Sequence, residues 1–184
     1  MLHRTAVPAT IFRSSVRVLG VDPGLSGAFA VIIDGDLRGF GLLHKGALGA
    51  ALIEYRPQVA YLEQPFKTGA GRSMATTWRN YGRLFEYITL NGIRVAEVAP
   101  RVWVDAVKPA RIRDQHTDTK GASRATVREF FGERTARQLP RQSTRNDVPH
   151  DGVCDAILIA HYGFLVESGF ADRAHEEKPN VSNW

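Results

Sequence analysis

Two runs of apolar and β-branched residues, Val16–Val21 and Gly27–Ile33, lie only five residues apart. Both read as strands. A parallel pair needs a crossover of a dozen or more residues, so these two pair antiparallel. "DGD" at Asp34–Asp36 signals a second hairpin, into a third strand over Leu37–Leu43. From there the pattern changes. A short helix is predicted over Ala47–Tyr55, and a fourth strand, "QVAYLEQP", reaches Glu63. "GRSMATTWRNYGRLFEYITLNG" predicts a long amphipathic helix closed by Asn91 and Gly92. "IRVAEVAP" gives a fifth strand, stopped by Pro100. Strands separated by helices pair in parallel. The expected fold is α/β: a mixed five-stranded sheet with helices on both faces. Short helices are predicted near Arg101–Val107 and Ser123–Phe131. A basic loop, "RQLPRQSTRNDVPH", leads to a last helix, "DGVCDAILIAHYGFLV".

The 184 residues suit one domain, expected over 16–166. Residues 1–15 form a basic leader without acids, read as unstructured, though an organellar transit peptide has similar composition. Residues 167–184 form a polar tail. No apolar run is long enough to span a membrane, so no membrane partner is expected. The single cysteine, Cys154, excludes an internal disulfide and fits a reducing compartment. It is expected to pack as a small apolar group.

Charge is unevenly spread. Lys67–Arg145 carries 16 Lys and Arg against 7 Asp and Glu, although the whole chain is only +5. A basic middle between acidic flanks suits a polyanion, nucleic acid first. A solvated basic surface would look the same.

Against this background four carboxylates stand out. Asp22 ends the first strand and Glu63 the fourth; neighbouring parallel strands finish at the same sheet edge. Asp151 and Asp155, four apart, share a face of the last helix. Taken singly, Asp22 could start a turn, Glu63 could be an exposed strand end, and Asp151 or Asp147 could be a helix cap. Asp155 is harder to dismiss within apolar "CDAILIA". Gathered acids resist ionisation, and a divalent cation resolves the conflict. Oxygen ligands suit Mg²⁺ or Mn²⁺. Two such ions about 3.5–4 Å apart can activate a water and stabilise the leaving oxygen of a phosphodiester.

"VLGVDPGLSGAFAV", "YLEQPF" and "HDGVCDAILIAHYG" resemble, in order, the motifs of the RuvC-family Holliday-junction resolvases, in the RNase H-like superfamily. The last motif is most similar to phage-like members. The resemblance covers about Val16–Val166. It implies an RNase H-like fold and catalytic metal ligands at Asp22, Glu63, Asp151 and Asp155, with two Mg²⁺ ions per site and no nucleotide cofactor. Commonly the family has an acid or histidine three residues before the final aspartate; here that residue is Gly152, which leaves Asp151 and His150 as rivals for the place. Phe66 matches an aromatic that wedges at the branch point; packing under its own loop is the plainer alternative. Lys67 and Arg72 flank it, and Lys120 and Arg124 in "TKGASR" match a region of phosphate-contacting bases. The long helix carries one seam, Met74, Trp78, Tyr81, Phe85 and Ile88, and a second stripe, Leu84, Tyr87 and Leu90. One face should pack on the sheet; in the family the equivalent helix helps build a homodimer.

The expected function is therefore metal-dependent paired nicking of four-way DNA junctions, an endodeoxyribonuclease activity leaving 5′-phosphates. Three alternatives remain open: an RNase H-like nuclease for RNA–DNA hybrids or ribosomal RNA, a non-catalytic junction-binding protein, and an ATPase suggested by "GVDPGLSG". The last needs two such domains.

Overall fold

A computed structural model describes residues 15–44, 46–65, 72–116, 118–143 and 146–170, omitting the side chains of 72, 73, 146 and 147. Strands β1 (Arg17–Asp22), β2 (Ala28–Ile33) and β3 (Asp36–Leu42) precede helix α1 (Ala47–Tyr55). Then come β4 (Val59–Glu63), α2 (Arg72–Leu90) and β5 (Arg94–Val98). Helices α3 (Pro100–Val107), α4 (Ala110–Gln115) and α5 (Thr119–Gln138), a hairpin of β6 (Arg141–Ser143) and β7 (Asn146–Pro149), and α6 (Asp151–Glu167) complete the order. The main sheet runs β3-β2-β1-β4-β5. β1 is antiparallel to β2 and parallel to β4; β2–β3 is antiparallel and β4–β5 parallel. The hairpin and crossover logic of the sequence thus holds.

Both faces of the sheet are covered. Leu19, Val21, Phe29, Val31, Ala60 and Leu62 point to one face and meet α1 and α2. Val18, Ala30, Ile32, Val59 and Tyr61 point to the other and meet α6, with α3 and α5 beyond. This two-sided burial explains why the strands read as continuous apolar runs. Helix α6 is apolar nearly all round because it is enclosed nearly all round: Ile157, Leu158 and Ile159 are fully buried, each contributing about 1.5–3 kcal/mol. Cys154 is equally buried, and burial pushes its thiol up to about 12, so it packs as an apolar group as expected.

The approach of α6 to β1 requires Gly20. A Cβ there would lie 2.3 Å from both Ala156 O and Ala160 N, so helix backbone rests directly on strand backbone.

Four features differ from the sequence reading. Helix α4 forms where no element was expected. Part of the basic loop is the β6–β7 hairpin. Helix α5 is longer than predicted but breaks at Gly132, whose φ of 81° is left-handed, so the expected end at Phe131 marks a real kink. The stripes of α2 are also partitioned differently: Tyr81 and Ile88 are buried and Leu84 packs beside them, while Trp78, Phe85, Tyr87 and Leu90 are exposed. A 3.6-residue period drifts across a heptad seam and divides it between core and surface. Among the described residues, no helix is long and apolar enough to cross a membrane.

Gly20→Ala is expected to destabilise the fold by about 3 kcal/mol or more, because helix backbone cannot yield to the new methyl. Gly82→Ala, in α2 with nothing near its added Cβ, should instead stabilise by about 0.5–1 kcal/mol. Urea midpoints of the two variants check both signs.

Candidate active site

Side-chain alternation places Asp22 on the same face as Val18, and Glu63 on the same face as Val59 and Tyr61, the face that α6 covers. The parallel register pairs Val21 with Leu62, so Asp22 and Glu63 follow side by side at the carboxyl edge of the sheet. The first turns of α6 bring Asp155 to the same edge. Ligand sites in open α/β sheets occupy this edge.

Each acid already has a partner. Asp22 Oδ1 accepts from Gly24 N at 2.8 Å. Glu63 Oε1 accepts from the Trp103 indole at 2.9 Å. Asp155 Oδ1 accepts from Ser123 Oγ at 2.6 Å and lies 3.7 Å from Lys108 Nζ. Lys108 is only 3% exposed and stands 4.6 Å from the centroid of the Trp103 ring.

These surroundings disturb the titration of the acids. Burial pushes Asp22 up to about 6, against its bond from Gly24, and Asp155 adds to the rise. Burial raises Glu63 to about 8, helped by Asp22 and opposed by Trp103 and Lys108. Asp155 is also raised by burial, with Lys108 and Ser123 opposing. Burial lowers Lys108, while Asp155 and Glu63 pull it back up. Burial is the largest cause in all three, and it disfavours the charged form of each acid.

Asp151 is employed differently. Arg124 Nη1 donates to its Oδ1 at 2.5 Å, while Lys120 Nζ at 3.0 Å and Gln142 Nε2 at 3.2 Å engage Oδ2. Its rival His150 is the N-cap residue of α6 and has a buried Nδ1 with no hydrogen-bond partner among the described residues. A Cβ on Gly152 would fall 2.7 Å from Asp22 Oδ2 and 3.4 Å from the His150 ring. The imidazole therefore borders the space a side chain at 152 would enter. Phe66 and Lys67 lie outside the described residues; Arg72 opens α2, its side chain not described.

The donor chemistry suits a hard divalent cation. Asp22, Glu63 and Asp155 are oxygen donors whose mutual repulsion such an ion would relieve. Among the described residues, however, no three His, Cys, Asp or Glu side chains converge into a ready-made cage. Each carboxylate is drawn instead to its own N–H, O–H or ammonium.

Trp103, Lys108 and Ser123 were not singled out from sequence. Nothing local distinguishes Lys108 from the other bases of the middle region; its burial emerges only when α3 packs beside α6.

The fold and this edge site define an RNase H-like α/β domain. No protein-family model matches the sequence, and no curated protein matches it. Among solved structures, T. thermophilus RuvC in complex with a Holliday junction substrate is similar over 84% of this chain and 96% of that one, with a TM-score of 0.59 and 18% identity. A second T. thermophilus RuvC structure is similar over 84% and 97%, with a TM-score of 0.57 and 17% identity. The chain thus has a RuvC-like fold.

Because Glu63 titrates higher folded than unfolded, its stability contribution is full below about pH 4.5 and is lost as pH rises toward about 8. Asp22 acts in the same sense between 3.8 and about 6. In EDTA the wild-type melting temperature should fall between pH 5 and 8.5. Glu63→Gln should flatten that fall and melt higher than wild type at pH 8.5. Thermal scans of both proteins at matched ionic strength check this.

Proposed function

We propose that this protein is a divalent-metal-dependent, structure-selective endonuclease that introduces paired symmetric nicks into four-way DNA junctions, in recombination and repair. What supports the reading is that Asp22 and Glu63 end neighbouring strands at the carboxyl edge of a RuvC-like sheet, where Asp155 raises the pKa of both and the buried Lys108 stands beside Asp155. The neighbour with this fold is described with a Holliday junction substrate. The motif "HDGVCDAILIAHYG" favours the phage-like form.

Asp22, Glu63 and Asp155 would hold Mg²⁺, two ions by the reading made from sequence, with Mn²⁺ as a substitute; Asp151 joins the set by position, and His150 is its rival. When bound, such ions supply Lewis-acid charge neutralisation at a phosphodiester and acidify a water. The chain's own residues do the positioning. Trp103 fixes the Glu63 carboxylate, and Ser123 and Lys108 fix Asp155. Lys108 also offsets negative charge where a phosphate must approach acids. Lys120 and Arg124 orient the backbone, contacts that carry little sequence information. Phe66 is assigned to stacking at the branch, and Lys67 and Arg72 to phosphate contact.

A homodimer completes the proposal. Trp78, Phe85, Tyr87 and Leu90 leave α2 with exposed apolar surface after its inner face is buried. A two-fold pair would present two sites to a junction with roughly two-fold symmetry.

The test is cleavage of a synthetic four-way junction, a linear duplex and an RNA–DNA hybrid, each in Mg²⁺ or EDTA. Paired nicks bearing 5′-phosphates, on the junction alone, are expected. EDTA should abolish them, and Asp155→Asn should reduce the rate about 10³-fold or more. Mg²⁺ should also raise the melting temperature of wild type more at pH 8 than at pH 5, and raise that of Asp155→Asn less. Junction binding without cutting under any divalent metal would leave a non-catalytic binding protein. Cutting of the hybrid instead would transfer the site to another nuclease class.

A further inference from the structure

Asp151 is the one acid of the site whose two oxygens are both taken by cationic or amide donors. Its residue is 9% exposed, yet Lys120, which reaches it, is 61% exposed. Arg124 is three-quarters buried and faces two ways. On one side it pairs with Asp151. On the other it lines a cleft of about 350 Å³ with His116, Arg128 and the acid Asp118, at the β7 end of the hairpin. Arg124 follows Lys120 by four residues, so both side chains rise from one face of the first turns of α5. Two cations on one helix face, both paired with one acid and bordered by a cleft in which Arg128 and His116 stand with Asp118, form an anion site occupied by the protein's own carboxylate.

We infer that Asp151 is the resting counter-ion of Lys120 and Arg124, and that a nucleic-acid backbone phosphate displaces it from them. This rests on the proposed nuclease reading and adds a competition that reading does not contain. A phosphodiester offers Arg124 two anionic acceptor oxygens, as a carboxylate does, and a polyanion offers several such groups in a row. The exposed Lys120–Asp151 pair is screened and readily exchanged. While the pair is closed, neither cation contributes its full charge to DNA.

The experiment is a double-mutant cycle on binding, in EDTA, so that no strand is cut. A fluorescent four-way junction and an RNA–DNA hybrid are titrated with full-length wild type, Asp151→Asn, Lys120→Ala/Arg124→Ala, and the triple variant over a range of salt. Asp151→Asn is expected to bind about fivefold tighter or more, with a log–log salt slope steeper by about 1–2 as two cations become free to release counterions. That gain should vanish in the Lys120→Ala/Arg124→Ala background. An unchanged affinity overturns the inference. So does an equal gain without Lys120 and Arg124, which would mean simple loss of a like charge. A gain seen with the hybrid but no junction binding keeps the counter-ion exchange and removes the junction reading. No binding to either nucleic acid removes both. If Asp151→Asn does not fold, the wild type still decides. The Arg124 Nε–Hε and Asp151 carboxyl NMR resonances must then shift together on titration with the DNA, and a shift of neither overturns the exchange.

Discussion

Everything at the candidate site depends on one steric fact, the direct seating of α6 on β1 at Gly20. With helix backbone against strand backbone, the helix cannot slide outward or roll without losing the enclosure of Val153, Ile157 and Ala160. That seating fixes where Asp155 stands relative to Asp22. The parallel register of β1 and β4 fixes Glu63 in turn. The site is a by-product of close packing: three acids are brought together because apolar surface must be covered, and the cost of crowding them is met by the hydrophobic core.

That cost shows in the protonation of the acids and in their partners. Asp155 raises Asp22 and Glu63, and Asp22 raises Glu63, yet each of the three is turned to a different donor: a backbone N–H, an indole, a hydroxyl with an ammonium. Local hydrogen bonds and the Lys108 ammonium oppose the rise of these acids. Lys108 belongs to the same balance. Its charge stabilises Asp155, while Asp155 and Glu63 stabilise its charge against burial.

Much of the fold was legible because it rests on short-range rules. The spacing of Val16–Val21 and Gly27–Ile33 demanded a hairpin, and intervening helices demanded parallel pairing. Asp22 and Glu63 were legible as charges ending apolar strands, and Asp155 as a charge inside an apolar helix. Other features depended on packing that no local pattern encodes. Lys108 looks like any surface base until α3 is placed. The division of α2 into a buried Tyr81–Ile88 line and an exposed Trp78–Phe85 line depends on the angle at which the helix meets the sheet. Asp151 was legible as an acid at a helix start, but not as an acid already claimed by Lys120, Arg124 and Gln142, because two of those partners come from α5 and one from the β6–β7 hairpin.

The seating of α6 also has a consequence for how the molecule comes into being. β1 lies near the beginning of the described chain and the helix that covers it near the end. Until α6 has been synthesised, one whole face of the sheet remains open, with Val18, Ala30, Ile32, Val59 and Tyr61 lacking their cover. Contacts between such distant segments carry a high loop-closure cost and slow the final folding step. A nascent chain emerging from the ribosome would therefore hold a half-finished sandwich, sticky on one side and without Asp155. Asp155 comes to the sheet edge that holds Asp22 only when that last helix docks, so the candidate site and the core are completed in the same event.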